Sequence, residues 1–249
     1  MAEPQPKRKR SDSEDAVDLH AVSIHEAKPI IRSEVWFDDG NIVIEAQRTQ
    51  FRVFRSQLAL HSPKFKALMD PLTPAAILVV SDNPVDLNYV FKRLLYHRYP
   101  ENEPLPLPVI QAFARIGKKY EITWLFENAV QRLTTAYPST LDKWTSSTGV
   151  EACIMPDPDC HSAVATTHKY ALEVSILARE IDLPQLLPTT FWLLTAPRRL
   201  PQLVTPRAAA LPEADRRAIL EGLCKRMEVQ RQTTAKWLRA KGHYECLTP

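Results

Sequence analysis

Glycine is scarce in this chain: 5 of its 249 residues, against 21 prolines. Loops that cradle phosphates need glycine's backbone freedom and its close approach to a ligand. Neither G-x(4)-G-K-[S/T] nor G-x-G-x-x-G occurs, which argues against a nucleotide site. No run of 18 apolar residues exists, so no membrane span is expected. The N-terminus is basic but no apolar stretch follows it, unlike a secretory signal. Cysteines number 4, which without such a signal implies free thiols in a reducing compartment. Cys153, Cys160, His161 and His168 fall close together, with Cys224 and Cys246 further on. Within that stretch there is no C-x-x-C or H-x(3–5)-H, and adjacent Cys160 and His161 ligate one ion awkwardly, so no metal is expected. A Gly-x-Ser-x-Gly elbow and a local Cys–His signature are missing, and His61 and His97 stand alone on helical stretches. These absences point away from an enzyme and from a cofactor.

Charge is unevenly placed. Residues 145–197 carry two basic against six acidic side chains, and residues 198–249 carry 11 against five. A basic C-terminal quarter could touch nucleic acid or anionic lipid, but the plainer expectation is a solvated helix face that docks on the acidic segment. Residues 1–32 are read as a disordered tail. There Lys7, Arg8, Lys9 and Arg10 form a candidate nuclear import signal, directly before Ser11-Asp12-Ser13-Glu14-Asp15. Phosphorylation of those serines would weaken the signal's grip on an acidic receptor groove.

Order is expected from about Glu34. Glu34–Phe37, Ile42–Ala46 and Phe51–Phe54 read as a three-stranded antiparallel meander, with Asp38-Asp39-Gly40-Asn41 as its first turn and Gly40 able to take positive φ. Leu58, Phe65, Leu68 and Met69 then mark two short helices, with Ser62 as N-cap and Pro63 in the first helical position of the second. Ile77–Val80 is a further strand. Asp82-Asn83-Pro84 opens a helix with the stripe Val85, Val90, Phe91, Leu94 and Leu95. Residues 99–108 look like a linker. Val109, Ile110, Phe113 and Ile116 form a helix face ending at Gly117. Ile122, Leu125, Phe126, Ala129, Val130 and Leu133 follow helical spacing up to Tyr137-Pro138. After a loop, helices resume near His161 and reach Ile181. Phe191–Leu194 are expected in the core, and a last helix opens at Pro212 with Ile219, Leu220, Leu223 and Met227 as its buried face. No internal repeat is read. The expected fold is α+β: a small three- to four-stranded sheet capped by helices, then an all-helical C-terminal extension. The expected division is tail 1–32, sheet-bearing domain 33–138, loop 139–162 and helical extension 163–249.

Trp36-Phe37-Asp38-Asp39-Gly40-Asn41-Ile42-Val43-Ile44, Phe51-Arg52-Val53-Phe54-Arg55-Ser56-Gln57-Leu58-Ala59 and Ser62-Pro63-Lys64-Phe65 together resemble a BTB/POZ domain. The wording is nearest the large fungal group of that family. Lys118–Ile122, Leu177–Ile181 and Leu183–Pro188 also resemble that group, so the likeness covers roughly residues 34–194. The resemblance implies a non-catalytic binding scaffold. Many members self-associate, and some bridge substrates to a cullin-type ubiquitin ligase or recruit chromatin factors. Four departures stand out. Self-associating members usually carry a long helix before the first strand, whereas Val17 to Ile31 holds few periodic apolar residues and includes Pro29, which disfavours a swapped-helix dimer. Phe54 replaces a His of the family's buried seam between strand and helix. Glu34 is the nearest match to an Asp that opens the first strand and helps form a charged pocket at the partner surface. Residues 69–76 lack the hydrophobic-x-Glu signature of cullin-binding members.

The expected function is therefore a protein–protein interaction scaffold or adaptor, nuclear or cytoplasmic with the nucleus favoured. Its partners would be other proteins, including a second copy, with no membrane. Glu34, Trp36, Phe37, Asp38 and Asp39 are the candidate partner surface. The alternatives are a DNA-associated regulator using the basic C-terminal helices, where Trp237 and Tyr244 could stack on bases, and a cullin-ligase substrate adaptor. Direct nucleic-acid binding is disfavoured, since no recognition helix or finger motif is found.

Overall fold

Three strands precede the first helix, as expected, but they do not form a meander. The computed structural model describes residues 29–73, 76–145, 153–160 and 162–240. The basic run Lys7–Arg10, His161, Tyr244 and Cys246 lie outside the described residues. Strand β1 (Ile31–Trp36) runs parallel to β3 (Thr49–Val53), with Ile31 opposite Thr49 and a register shift before Trp36. Strand β2 (Ile42–Ala46) pairs antiparallel with β3, Ile42 opposite Val53, and parallel with β4 (Ile77–Val80), Val43 opposite Ile77. The sheet is mixed, in the order β1-β3-β2-β4. Ordered chain also starts earlier than the sequence implied, since Ile31 and Arg32 already belong to β1.

The tight hairpin is the one between β2 and β3. Ala46 faces Thr49, and the two loop residues Gln47 and Arg48 have φ of 44° and 69°. Positive φ at both central positions matches the right-handed twist of the flanking strands, even without glycine. Gly40, by contrast, does not take positive φ. It is needed for space: an added Cβ would meet Arg52 Cγ at 2.9 Å and the Phe37 carbonyl at 3.0 Å. Asn41 leaves the turn altogether, its Oδ1 accepting the Arg55 amide at 2.9 Å where α1 begins.

Eleven α-helices follow among the described residues. Helices α1 (Arg55–His61) and α2 (Pro63–Met69) meet at Ser62, whose Oγ accepts the Phe65 amide at 2.9 Å, the expected cap. Helix α3 (Pro84–Tyr96) is capped by Asn83 in the same way. Its buried face is Leu87, Val90, Phe91 and Leu94; Val85, expected in the stripe, points outward. Helix α4 (Leu107–Lys119) runs past Gly117, which is a packing residue and not a terminator: a Cβ there would sit 2.9 Å from the Phe126 amide nitrogen on α5 (Thr123–Ala136). The segment read as a linker is pinned to α5 by Arg132, and Leu105 makes a parallel bridge with Ile154.

Helix α6 (Leu141–Thr145) lies inside the stretch expected to be a loop. Then come α7 (Ala163–Lys169), α8 (Ala171–Glu180), a 3₁₀ turn Pro184–Leu186, α9 (Leu187–Leu194), a 3₁₀ turn Pro197–Arg199, α10 (Leu200–Leu203), a 3₁₀ turn Pro206–Ala210 and α11 (Glu213–Ala240). Leu193 and Leu194 are buried as expected, whereas Trp192 is 50 % exposed. On α11, Ile219 and Leu223 are buried but Leu220 and Met227 face solvent, so its covered stripe is narrower than its apolar one. One buried cluster runs without a break from Val35 of the sheet to Ile219 of α11. At its centre Phe51 meets Phe91 edge-on at 5.2 Å, and Phe65 stacks on Tyr120 at 3.9 Å.

One local device occurs twice. After α4, Glu121 has φ 57°, Ile122 N–H donates to the Gly117 carbonyl at 2.9 Å and Glu121 N–H to that of Lys118. After α8, Asp182 has φ 52°, Leu183 N–H donates to Ala178 at 2.8 Å and Asp182 N–H to Arg179. Both are Schellman ends with an acidic residue where glycine is usual. The two ends touch: Lys118 Nζ donates to the Ile181 carbonyl, and Arg115 reaches Glu180 at 2.7 Å and Asp86 at 3.3 Å.

Candidate protein-docking surface

An edge strand exposes one rim of backbone donors and acceptors to whatever approaches. Strand β1 is such an edge, paired among the described residues with β3 on one side only. Its alternation is broken near the register shift, where Ser33 Oγ accepts the Val35 amide at 2.9 Å, and Val35 alone is fully buried. A bulge of this kind re-aims side chains. Arg32, Trp36 and Asp38 come together outside the sheet: the Arg32 guanidinium lies 4.2 Å from the Trp36 ring centroid and its Nη2 is 3.3 Å from Asp38 Oδ1. Ile30 and Ile31 extend this surface with 54 % and 59 % of their area exposed.

The candidate partner residues thus divide. Glu34, Trp36 and Asp38 sit with Arg32 on or beside the open strand. Phe37 turns away and joins an aromatic seam, 5.0 Å from Phe54 and 5.3 Å from Tyr96. Phe54 itself is half-buried and caps no hydrogen bond of α1, so it fills the edge of the seam and not its interior. Asp39 is exposed in the turn.

Sequence reasoning missed Lys92 of α3. Its Nζ is 2.6 Å from Glu34 Oε2, and the ammonium holds the Glu34 carboxyl below its usual range. This ion pair stands between two grooves that share it. One, of about 490 Å³, lies between β1 and α3 and is lined by Arg32, Ser33, Thr49, Val85 and Tyr89. The Oδ1 of Asn88, also in this lining, is buried without a partner. The other, of about 910 Å³, is lined by Tyr96, Tyr99, Pro104, Pro106 and Met155. Burial raises the Tyr99 hydroxyl above its usual range, so it stays a neutral donor. The arrangement can take up an extended peptide: backbone for the rim, a carboxylate and an ammonium for polar groups, and aromatic walls for side chains. No local signal marked Lys92, because its pairing with Glu34 joins residues 58 apart and required the fold.

The basic C-terminal helix docks with polarity opposite to that expected. Asp215 of α11, 6 % exposed, takes a bidentate pair from Arg179 of the acidic segment at 2.7 and 2.6 Å. Arg226 adds a contact over Trp192, 4.8 Å from the ring centroid.

Cys153 and Cys160 are half-buried free thiols and Cys224 is exposed. Among the described residues no group of three or more His, Cys, Asp or Glu side chains could hold a metal ion, and no helix is long and apolar enough to cross a membrane. No protein-family model matches this chain, and no curated protein does.

Proposed function

We propose that this chain is a non-catalytic protein-interaction scaffold of the BTB/POZ type that receives partners along β1 and the two grooves beside α3. The observation that carries the reading is the open edge of β1, flanked by exposed Ile30 and Ile31 and by the Glu34–Lys92 pair at the junction of the grooves. Main-chain pairing supplies affinity at such an edge, and alternate side chains supply selectivity. The strand–helix order after β1, with its capped helix pair at Ser62, also agrees with the motif order from which the resemblance was drawn.

The test uses Ile30→Lys with Ile31→Lys in the full chain. Both side chains are exposed, so the thermal midpoint should hold. Charge on an open edge opposes strand addition. Crosslinking with mass spectrometry on native extract should place partner or self contacts on residues 30–38 and 92–99 of the wild type and lose them in the variant. Contacts that map elsewhere, or persist in the variant, would count against the proposal.

A second reading, association with duplex DNA, is favoured by one feature: α11 carries Lys225, Arg226 and Arg231, and Met227 to Thr234 are all exposed. It calls for steeply salt-dependent binding, which a titration at several ionic strengths measures directly.

A further inference from the structure

A further concave site lies in the helical part, against α7. It is a cleft of about 680 Å³, and Cys160, His168, Lys169, Arg198 and Arg199 line it. Its cations are not equivalent. Lys169 is already committed, 2.7 Å from Asp157 and 3.1 Å from Asp159. Arg198 and Arg199 have no carboxylate partner among the described residues, and the Arg199 Nε is buried with no hydrogen bond at all. Arg198 Nη2 lies 3.3 Å from His168 Nδ1. A guanidinium can only donate, so Nδ1 accepts and His168 is neutral there. Burial and then the charges of Arg198, Arg199 and Arg226 hold His168 below its usual range, consistent with that neutral form. Asp159, on the rim and largely exposed, is already engaged by Lys169.

Next to the cleft is an aromatic shelf. His168 stacks on Trp144 at 6.3 Å, Trp144 meets Trp192 edge-on at 5.8 Å, and Trp192 is half exposed with Arg226 over its face.

We infer that this cleft docks a phosphorylated serine or threonine of a protein partner, with Arg198 and Arg199 gripping the phosphate and the Trp144–Trp192 shelf receiving the flanking residues. Two adjacent guanidinium forks without a carboxylate match a phosphate dianion geometrically, where an ammonium would offer only a point charge. The Nε of Arg199 has no partner within the fold, so this guanidinium is not committed elsewhere. A free phosphate would use the arginines alone, whereas a peptide also covers the exposed tryptophan, so peptide attachment adds affinity. This site stands apart from the β1 surface and does not depend on its role.

The test is binding of the full-length chain to a fluorescent degenerate peptide library with a fixed phosphoserine, followed by anisotropy. The controls are the same library with serine, inorganic phosphate, and a single-stranded oligonucleotide. The phosphorylated library should bind at least tenfold more tightly than the serine library, and millimolar phosphate should displace it. Arg198→Gln and Arg199→Gln should each weaken binding about tenfold or more, and Trp192→Ala should weaken the peptide but not inorganic phosphate. Circular dichroism of each variant establishes that it folds; a variant that does not is replaced by Arg198→Lys or Arg199→Lys, which keep charge and lose the fork. Equal binding of the two libraries, binding unaffected by both arginine variants, or binding of the oligonucleotide in place of the peptide would overturn the inference.

Discussion

Replacing Arg132 by Met should loosen the segment between α3 and α4 and cost the whole fold measurable stability. Arg132 is 4 % exposed, yet among the described residues no carboxylate pairs with it. Its guanidinium donates to the carbonyls of Glu103 at 2.9 Å, Cys153 at 3.1 Å and Pro100 at 3.4 Å, to that of Glu101, and to Asn128 Oδ1 at 3.0 Å. Methionine keeps the length of the side chain and removes every donor. The Cys153 carbonyl still accepts the Leu105 amide at 3.3 Å, so the carbonyls of Glu101 and Glu103 lose most. A hydrogen bond from a charged donor is worth about 1.5–3 kcal/mol, and water recovers part of it because Glu101 and Glu103 are exposed residues. Removing a buried cation returns part of this, because burial already disfavours its charge and lowers its pKa. The expected net loss is about 1–2 kcal/mol. Urea unfolding followed by circular dichroism reads it as a lower midpoint at unchanged slope. Hydrogen exchange supplies a local reading: the Leu105 and Met155 amides, which hold the 105–154 bridge at 3.3 and 2.9 Å, should exchange faster. A variant within about 0.5 kcal/mol of wild type with both amides still protected would refute the argument, since that is the scatter of ordinary surface changes.

Three further outcomes are expected. Glu121→Gly and Asp182→Gly should each stabilise the chain by about 0.5–1 kcal/mol, because both sites have positive φ and glycine relieves more strain than it adds in unfolded-state entropy; thermal melts decide this. Asp157, bonded to Lys169 and Tyr170, has its carboxyl lowered to about 2. A carboxylate depressed by folding stabilises fully above its unfolded pKa of about 4, and that contribution fades as pH falls from there through about 2. NMR of the 155–160 segment should follow that window, and Asp157→Asn should abolish its pH dependence. Gly117→Ala should destabilise by about 1–3 kcal/mol in the same melts, since the new methyl lands on the α5 backbone and not on a movable side chain.

Much of the local structure was legible because its causes are local. Ser62-Pro63 and Asn83-Pro84 each hold a capping oxygen and a pre-set φ within one turn, and both helices begin there. The spacing from Ile122 to Leu133 described α5 for the same reason. Glu34 and Trp36 were found as surface residues, but their partners Lys92 and Arg32 were not, because a strand's bulge and a helix's approach decide who meets whom. The ends of α4 and α8 were hidden by residue type: Glu121 and Asp182 take a left-handed conformation that a reader assigns to glycine. The cleft at Arg198 and Arg199 left no motif, since Cys160, His168 and the arginines converge from separate segments.

The sequence by itself determined where α2, α3 and α5 begin and that an α+β chain results, because caps and the apolar period act over a few residues. Only the tertiary structure decided that β1 pairs with β3 and not β2, that Val85, Leu220 and Met227 face water while Arg132 is enclosed, and which charges stand unpaired. Those outcomes depend on closing long loops and on which distant surface arrives to cover a given face, and neither is encoded in the neighbours of the residue concerned.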